Sequence, residues 1–222
     1  MMYRVSKRLL DLLVSIVVAI ILLPLFIPVM IGLKLTGEGY IFYKQKRIGY
    51  KKKYFNILKF ATMLKDSPNL GTGMITLRND PRITPMGGFL RKTKINELPQ
   101  IFNIILGDIS LVGPRPLVDK TYKAYTKEVQ EVIYNVKPGL TGVGSIVFRD
   151  EEKLISENKG DDPHEYYARV IAPHKGALEM WYQEHASFFT DLKIIFLTAW
   201  VIVFSESELP GKLLKGIPEF KP

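Results

Sequence analysis

The chain has 222 residues, a formal net charge of +9 and no cysteine, and 47% of its residues are hydrophobic. This length fits one compact domain together with any membrane segment. The missing thiols exclude a disulfide framework and a cysteine-ligated zinc site. The basic balance points to an anionic partner, which could be phospholipid, nucleic acid or a phosphorylated substrate.

The first predicted element is an apolar helix near the N-terminus. Leu12–Leu33 is almost entirely apolar, and about 20 such residues suffice to cross a bilayer as a helix. Pro24 and Pro28 interrupt it and predict a bend. Cationic residues flank both ends, and such flanks prefer the cytoplasmic side. A re-entrant membrane hairpin would place both cationic flanks on the cytoplasmic side. A single span that tolerates the two prolines is the open alternative. Asp11 is expected to pair with a basic residue one turn earlier.

The rest of the chain predicts an α+β domain that is mainly helical, with short strands. The predicted strands are Tyr40–Tyr43 and Tyr54–Leu58. The predicted helices are Gly88–Lys92, Glu97–Leu106, Asp119–Tyr134, Tyr166–His185 with a break at Pro173, and Leu192–Phe204. Leu192–Phe204 fits either a helix in the membrane interface or a buried core helix. Glu151–Pro163 is expected to be a mobile loop, and the tail from Glu206 to be poorly ordered.

The stretch from Arg91 to Pro116 is the most informative for chemistry. Asn96 is a typical N-cap and Glu97 suits a helix N-terminus, so a well-made helix start explains both residues. Arg115 stands in a rigid Gly-Pro-Arg-Pro turn, and its guanidinium fork suits phosphate. A carboxylate among several cations also suits a magnesium-bound diphosphate. A solvated charged surface explains these cations equally well.

A series of short motifs runs along most of the chain in a fixed order. These are Lys7-Arg8-x-x-Asp11, Gln45-x-Arg47-x-Gly49, Lys59-Phe60-x-Thr62-Met63, Glu97-Leu98-Pro99-Gln100-x-x-Asn103, Gly107-Asp108-x-Ser110, Gly113-Pro114-Arg115-Pro116, Lys137-Pro138-Gly139-x-Thr141-Gly142 and Asp191-Leu192-Lys193. Each motif alone is weak, but their order resembles the bacterial sugar transferases of the polyprenyl-phosphate phosphoglycosyltransferase family, in its small monotopic form.

The resemblance implies transfer of a phospho-sugar from a UDP-sugar to undecaprenyl phosphate with release of UMP, which initiates surface-polysaccharide or glycoconjugate synthesis. It implies a membrane-embedded re-entrant helix over 1–36, a membrane-associated catalytic domain over 37–205 on the cytoplasmic face of the bacterial inner membrane, and a tail over 206–222. The expected partners are UDP-sugar, undecaprenyl phosphate and an anionic phospholipid membrane. No nucleic acid is expected, because no recognition motif occurs, and a homo-oligomer is left open.

The resemblance also implies Mg²⁺ and an Asp-Glu dyad in which the Asp is the nucleophile and the Glu contacts the metal. The dyad here is Asn96-Glu97, and a neutral carboxamide is a poor nucleophile. Glu97 is the predicted metal ligand, and Lys59, Arg91 and Arg115 are the predicted substrate-binding residues. Three mechanisms stay open: attack by Glu97, direct attack by the lipid phosphate, or lost catalysis in a membrane-bound binding or scaffold protein.

Overall fold

A long helix and a series of short elements make up the fold. The structure is a computed structural model that describes residues 2–71, 76–77, 79–158, 160, 162–204 and 207–219. The strands are β1 (Phe42–Ile48), β2 (Tyr54–Phe60), β3 (Ser110–Val112) and β4 (Gly139–Thr141). The helices are α1 (Met2–Leu35), α2 (Pro85–Lys92), α3 (Gln100–Leu106), α4 (Asp119–Lys123), α5 (Lys127–Val132), α6 (Val143–Val147), α7 (Glu151–Glu157), α8 (Pro163–Tyr166), α9 (Ala172–His185), α10 (Phe188–Val203) and α11 (Leu209–Leu213). The predicted mainly helical α+β class is confirmed.

The N-terminal helix α1 contains 34 residues, with Pro24 and Pro28 inside it. It is long and apolar enough to cross a membrane, and only 17% of its most apolar 18-residue window is buried. A helix in the core of a water-soluble protein would hide most of such a surface. A narrow stripe that includes Phe26, Val29 and Leu33 packs against the domain. The helix is continuous, and the re-entrant hairpin stays a prediction.

Polar contacts fasten the start of α1 to the domain. Lys7 Nζ lies 2.7 Å from Asp191 Oδ2 and donates to the Val112 carbonyl at 2.8 Å. Asp11 accepts hydrogen bonds from the Ser110 hydroxyl at 3.0 Å and from the Leu111 amide at 2.9 Å. The expectation that Asp11 pairs with a basic residue of its own helix is therefore wrong, because the buried backbone of β3 supplies its donors instead.

Two small sheets position the loops of the domain. β1 and β2 pair antiparallel, with Phe42 opposite Phe60 and Ile48 opposite Tyr54. A tight turn that includes Lys51 and Lys52, both at positive φ, joins them. β3 and β4 pair in parallel, with Ser110 opposite Gly139 and Val112 opposite Thr141. Composition predicted β2 closely, whereas the predicted Tyr40–Tyr43 shares only Phe42 and Tyr43 with β1, which continues to Ile48 along its pairing with β2. The second pair consists of three-residue strands that carry little sequence signal.

Three predictions about the later segments need correction. Asp119–Tyr134 forms two helices rather than one, because Thr126 caps α5 by accepting from the Val129 amide. Glu151–Pro163 is not one loop, since α7 occupies Glu151–Glu157 and Lys175 binds its first residue at 2.6 Å. The tail is ordered in its described part, because α11 brings Leu214 into the core at 2% exposure.

The main core lies between α3, α9 and α10 and includes the fully buried Ile104, Leu178 and Leu197. Helix α10 contains nearly all of the predicted segment Leu192–Phe204, which fitted either a core helix or a helix in the membrane interface, and it has one buried and one exposed face. Leu197 lies in the core, whereas Phe189 and Phe196 on the same helix are exposed. An apolar helix with one buried and one exposed apolar face suits a protein that rests on a membrane.

Candidate active site

A cleft of about 1570 Å³ gathers the residues that the sequence singled out. Its walls come from the β1–β2 hairpin, α2, the turn before α3, the turn after β3, and α7. All five predicted site residues line it: Lys59, Arg91, Asn96, Glu97 and Arg115. Residues separated by more than 50 positions in the chain therefore meet in one cavity, in the manner expected of a binding site.

The turn that carries Asn96 and Glu97 is tighter than the sequence predicted. Lys94 adopts a left-handed conformation with φ 61°, and Ile95–Glu97 then forms a single 3₁₀ turn. Helix α3 begins only at Gln100, after Pro99. Asn96 therefore does not cap a helix, and that interpretation is wrong. Its side chain is 6% exposed, and its Oδ1 has no hydrogen-bond partner among the described residues.

Glu97 is held between two cations. Its Oε1 lies 2.7 Å from Lys59 Nζ and 3.2 Å from Arg115 Nη2. Burial opposes ionisation of Glu97, but the charges of Lys59 and Arg115 outweigh it and lower the pKa of Glu97 well below its usual range. Lys59 therefore pairs with Glu97 in this structure, and its predicted role in binding substrate stays a prediction.

Positive charge exceeds negative charge at this point of the cleft. Burial lowers the pKa of Lys59 to about 8, and the nearby charges of Arg115 and Arg47 act in the same direction, while Glu97 opposes them. Burial, and then the charge of Arg115, lower the pKa of Arg47 to about 10. Lys59 and Arg115 contact the carboxylate of Glu97, and Arg47 adds a third positive charge nearby, which leaves net positive charge around Glu97 to receive an anion.

Arg47 is a site residue that the sequence analysis quoted in a motif but did not assign. Its Nη1 donates to the Pro116 carbonyl at 3.0 Å, and its Nε donates to Gln45 Oε1 at 3.0 Å. The Gln45-x-Arg47-x-Gly49 spacing was the signal available, because residues two apart on a strand share one face. Arg47 thereby ties the β1–β2 hairpin to the turn that carries Arg115.

Buried groups fix the backbone of the Arg115 turn. The Tyr134 hydroxyl donates to the Arg115 carbonyl at 3.0 Å and accepts from the Leu117 amide at 2.8 Å. Gly113 is needed because a Cβ there would lie 2.3 Å from the Lys137 carbonyl oxygen. Glu179, buried at 3% exposure, interacts with the Arg115 backbone amide. Asp108 accepts a hydrogen bond from the Asn103 side-chain amide at 3.0 Å.

Arg91 stands on the same cleft but in a different ion pair. Its Nη2 binds the Glu152 carboxylate of α7, and its buried Nε has no partner among the described residues. Glu151, the neighbour of Glu152, pairs with Lys175 at 2.6 Å. Helix α7 therefore covers Arg91 with acidic side chains, and the guanidinium reaches a phosphate only by exchanging Glu152 for it.

The carboxylate arrangement fits a magnesium ion only in combination with substrate. Within the described residues, no group of three or more His, Cys, Asp or Glu side chains could form a protein-only metal site. Mg²⁺ is usually bound by one or two carboxylates together with substrate phosphates and water. Glu97 supplies one carboxylate. Asn96, the preceding residue in the chain, supplies a side-chain oxygen that has no hydrogen-bond partner among the described residues, and Mg²⁺ takes oxygen ligands.

Comparison with known proteins gives one family. The family described as bacterial sugar transferase matches residues 2–205. The chain is 35% identical over 215 residues to the exopolysaccharide production protein ExoY of Sinorhizobium fredii, with 90% of this chain and 87% of that protein covered. It is 33% identical over 207 residues to the undecaprenyl-phosphate glucose phosphotransferase of Komagataeibacter xylinus, with 91% of this chain covered. The undecaprenyl-phosphate galactose phosphotransferase of Salmonella typhimurium is 32% identical over 215 residues, with 90% of this chain covered. The chain spans 36% and 41% of the lengths of these two phosphotransferases.

Proposed function

The chain belongs to the bacterial sugar transferase family, and from that premise we propose that it transfers a sugar phosphate from a UDP-sugar to undecaprenyl phosphate and releases UMP. The names of the glucose and galactose phosphotransferases support this choice of substrates. The name of the ExoY relative supports a role at the start of polysaccharide production. The observation that carries the proposal is the position of Glu97 between Lys59 and Arg115 in a cationic cleft.

The charges in the cleft suit a diphosphate. Lys59 and Arg115 contact the Glu97 carboxylate, and Arg47 and Arg91 line the same cleft. Arg115 is 41% exposed at its side chain, so its guanidinium is available to a ligand while one edge holds Glu97. Phosphoryl transfer depends mainly on the alignment of the reacting groups and on neutralisation of their charge. A cluster with excess positive charge supplies both.

The acceptor would approach from a membrane. Tyr40 and Phe42 line the cleft and are 42% and 38% exposed. Thr84, which caps α2 and also lines the cleft, lies 3.1 Å from the point that a Cβ on Gly37 would occupy, just after α1 ends. This wall of the cleft therefore lies close to the end of the apolar helix. We place α1 in the bacterial inner membrane as a re-entrant helix, with the domain on the cytoplasmic face, where UDP-sugars are available.

Mg²⁺ is part of the proposal. Glu97 would hold it together with phosphate oxygens, and the ion would add positive charge beside the transferred phosphoryl group. Lys59 and Arg115 keep Glu97 ionised, because they lower the pKa of its carboxyl group after burial has raised it. A carboxylate that stays ionised at neutral pH is ready to bind a cation when the donor arrives.

A panel of UDP-sugars with undecaprenyl phosphate tests the function. The purified full chain in detergent micelles or lipid nanodiscs should release UMP with at least one donor, and only when Mg²⁺ is present. Glu97→Gln should abolish release. Near-normal turnover of this variant would reject the role of Glu97, and failure of every donor would reject the transferase activity.

A second candidate is a catalytically impaired family member that acts as a membrane-bound binding or scaffold protein. Asn96 is the observation that favours it, because the expected acidic nucleophile is missing. This alternative predicts that UDP-sugar binds, for example in a calorimetric titration, while UMP release stays at the level of the Glu97→Gln variant.

A further inference from the structure

We propose that this chain transfers the sugar phosphate in a single displacement, with the lipid phosphate itself as the nucleophile, and that the neutral side chain of Asn96 dictates this route. The inference rests on the proposed function. It concerns whether the UDP-sugar first reacts with a side chain of the protein or reacts directly with the lipid phosphate.

The residue at the centre of the cleft cannot form an ordinary covalent intermediate. Asn96 lines the cleft and is 6% exposed, and its Oδ1 has no partner among the described residues. An amide oxygen carries no full negative charge, and its attack on phosphorus would give an unstable imidate rather than an acyl phosphate. The unpaired oxygen can accept a hydrogen bond from a ligand, which is a binding role rather than a nucleophilic one.

The neighbouring carboxylate is poorly suited to replace it. Glu97 shares its Oε1 with Lys59 at 2.7 Å and with Arg115 at 3.2 Å. The two cations stabilise the carboxylate charge, and a stabilised anion is a weaker nucleophile. Attack by Glu97 would also withdraw negative charge from the point where the two cations converge. The contacts instead make Glu97 an anchor that holds Lys59 and Arg115 toward the ligand.

The other five acidic side chains on the described cleft lining all interact with other groups. Asp80 lies 2.6 Å from Arg82, Glu151 pairs with Lys175, Glu152 pairs with Arg91, Glu157 lies 3.9 Å from Lys153, and Asp150 is not free either. The sequence contains no cysteine and three histidines, and no histidine is among the described residues that line the cleft. A serine or threonine hydroxyl becomes a nucleophile only when an adjacent general base, such as a histidine, removes its proton.

The cleft is large and cationic enough to hold both substrates together. Its volume of about 1570 Å³ exceeds the roughly 300–1,000 Å³ typical of a site for one small ligand. A single displacement requires three phosphate groups in one place, two from the donor and one from the acceptor. Arg47, Lys59, Arg91, Lys94 and Arg115 line the cleft and can neutralise them. Simultaneous binding would be much harder in a site with a balanced charge.

The step balances without a further reactant. An oxygen of the lipid phosphate attacks the phosphorus that bears the sugar, and a new P–O bond forms. The bond from that phosphorus to the oxygen bridging the two donor phosphates breaks, and UMP leaves with the bridging oxygen. The product is a lipid diphosphate sugar. No proton transfer is needed when the lipid phosphate enters as its dianion.

Pre-steady-state UMP release separates the two routes. The full chain is mixed with UDP-sugar and Mg²⁺ in detergent, first without and then with undecaprenyl phosphate. We expect no UMP without the lipid, and initial-rate plots against the two substrates should intersect. Asn96→Asp should release about one UMP per enzyme molecule without lipid, because the carboxylate forms a covalent intermediate. Asn135→Asp makes the same charge change at an exposed position and should behave like the unmodified chain.

Each result has one meaning. A burst of about one UMP per enzyme from the unmodified chain without lipid, or parallel initial-rate lines, would overturn the single displacement while leaving the proposed function intact. The absence of a burst from Asn96→Asp would overturn the assignment of residue 96 as the position that dictates the route. Failure of the unmodified chain to release UMP with lipid and any donor would overturn the proposed function itself.

Discussion

Replacing Glu97 by Gln is the most demanding test of the site, because it removes the negative charge that Lys59 and Arg115 both contact. The pair with Lys59 is mostly buried, with exposed side-chain fractions of 15% for Lys59 and 21% for Glu97. The pair with Arg115 is more accessible, with 41% of the arginine side chain exposed. The two contacts therefore contribute unequally to folding stability.

The magnitude follows from this difference in burial. A hydrogen bond between charged groups that are largely buried contributes about 1.5–3 kcal/mol. An accessible ion pair contributes about 0–1 kcal/mol after screening by solvent. Glu97→Gln should therefore lower the free energy of unfolding by about 2–3 kcal/mol, which corresponds to a fall in Tm of roughly 4–12 °C for a domain of this size. The loss of an oriented cation at the reacting phosphoryl group should lower kcat by about 10²-fold or more.

Thermal unfolding in detergent and UMP release measure the two effects on the same samples. Glu208→Gln is the matched control, because Glu208 is 85% exposed and pairs only loosely with Lys212 at 3.6 Å. The control should change Tm by less than about 1–2 °C and leave kcat unchanged. A Glu97→Gln protein with the Tm and kcat of the control would refute the view that Glu97 organises the cations of the cleft.

Three further changes test the charges around the cleft. Since burial lowers the pKa of Lys59 to about 8, kcat/KM should fall above pH 8, and Lys59→Arg should move that limb of the pH profile to higher pH. Burial raises the pKa of Glu179 to about 7 in the folded chain, so its contribution to stability is present below its unfolded pKa and is lost as the pH rises through 7. Glu179→Gln should therefore raise Tm at pH 8 and leave it nearly unchanged at pH 4; an equal shift at both values would contradict this. Glu152→Gln should lower the KM for UDP-sugar several-fold by releasing Arg91 from its ion pair, whereas the exposed Glu131→Gln should not.

The family, the fold class and five of the residues that line the cleft were accessible from the sequence, whereas Arg47 was not assigned. Motifs such as Gly113-Pro114-Arg115-Pro116 specify local geometry through residue type, and the required close approach at Gly113 is an example. The apolar segment, β2 and the helical character of Glu97–Leu106 followed from composition and periodicity, whereas most of β1 did not. These features depend on neighbours in the chain, which a pattern can reveal.

The details that failed depend on partners distant in the chain. Asp11 was matched with its own helix because nothing in its neighbourhood reveals the buried amide of Leu111, a hundred positions away. Helix α7 was taken for a loop because its sequence is polar, yet Lys175 and Arg91 stabilise it from other elements. Asn96 was taken for an N-cap because its residue type permits it, and the left-handed Lys94 before it delays the helix.

The polar contacts of α1 connect this apolar helix to the turn that carries Arg115. Lys7 and Asp11 both bind β3, through the Val112 carbonyl and through the Ser110 hydroxyl and the Leu111 amide. The next residues along the chain form the turn that carries Arg115. Because these bonds are short and largely buried, a displacement of α1 relative to the domain would move that turn with it. The helix therefore acts as a positional reference for the cleft, since the contacts that hold α1 to the domain also hold the strand that leads to Arg115.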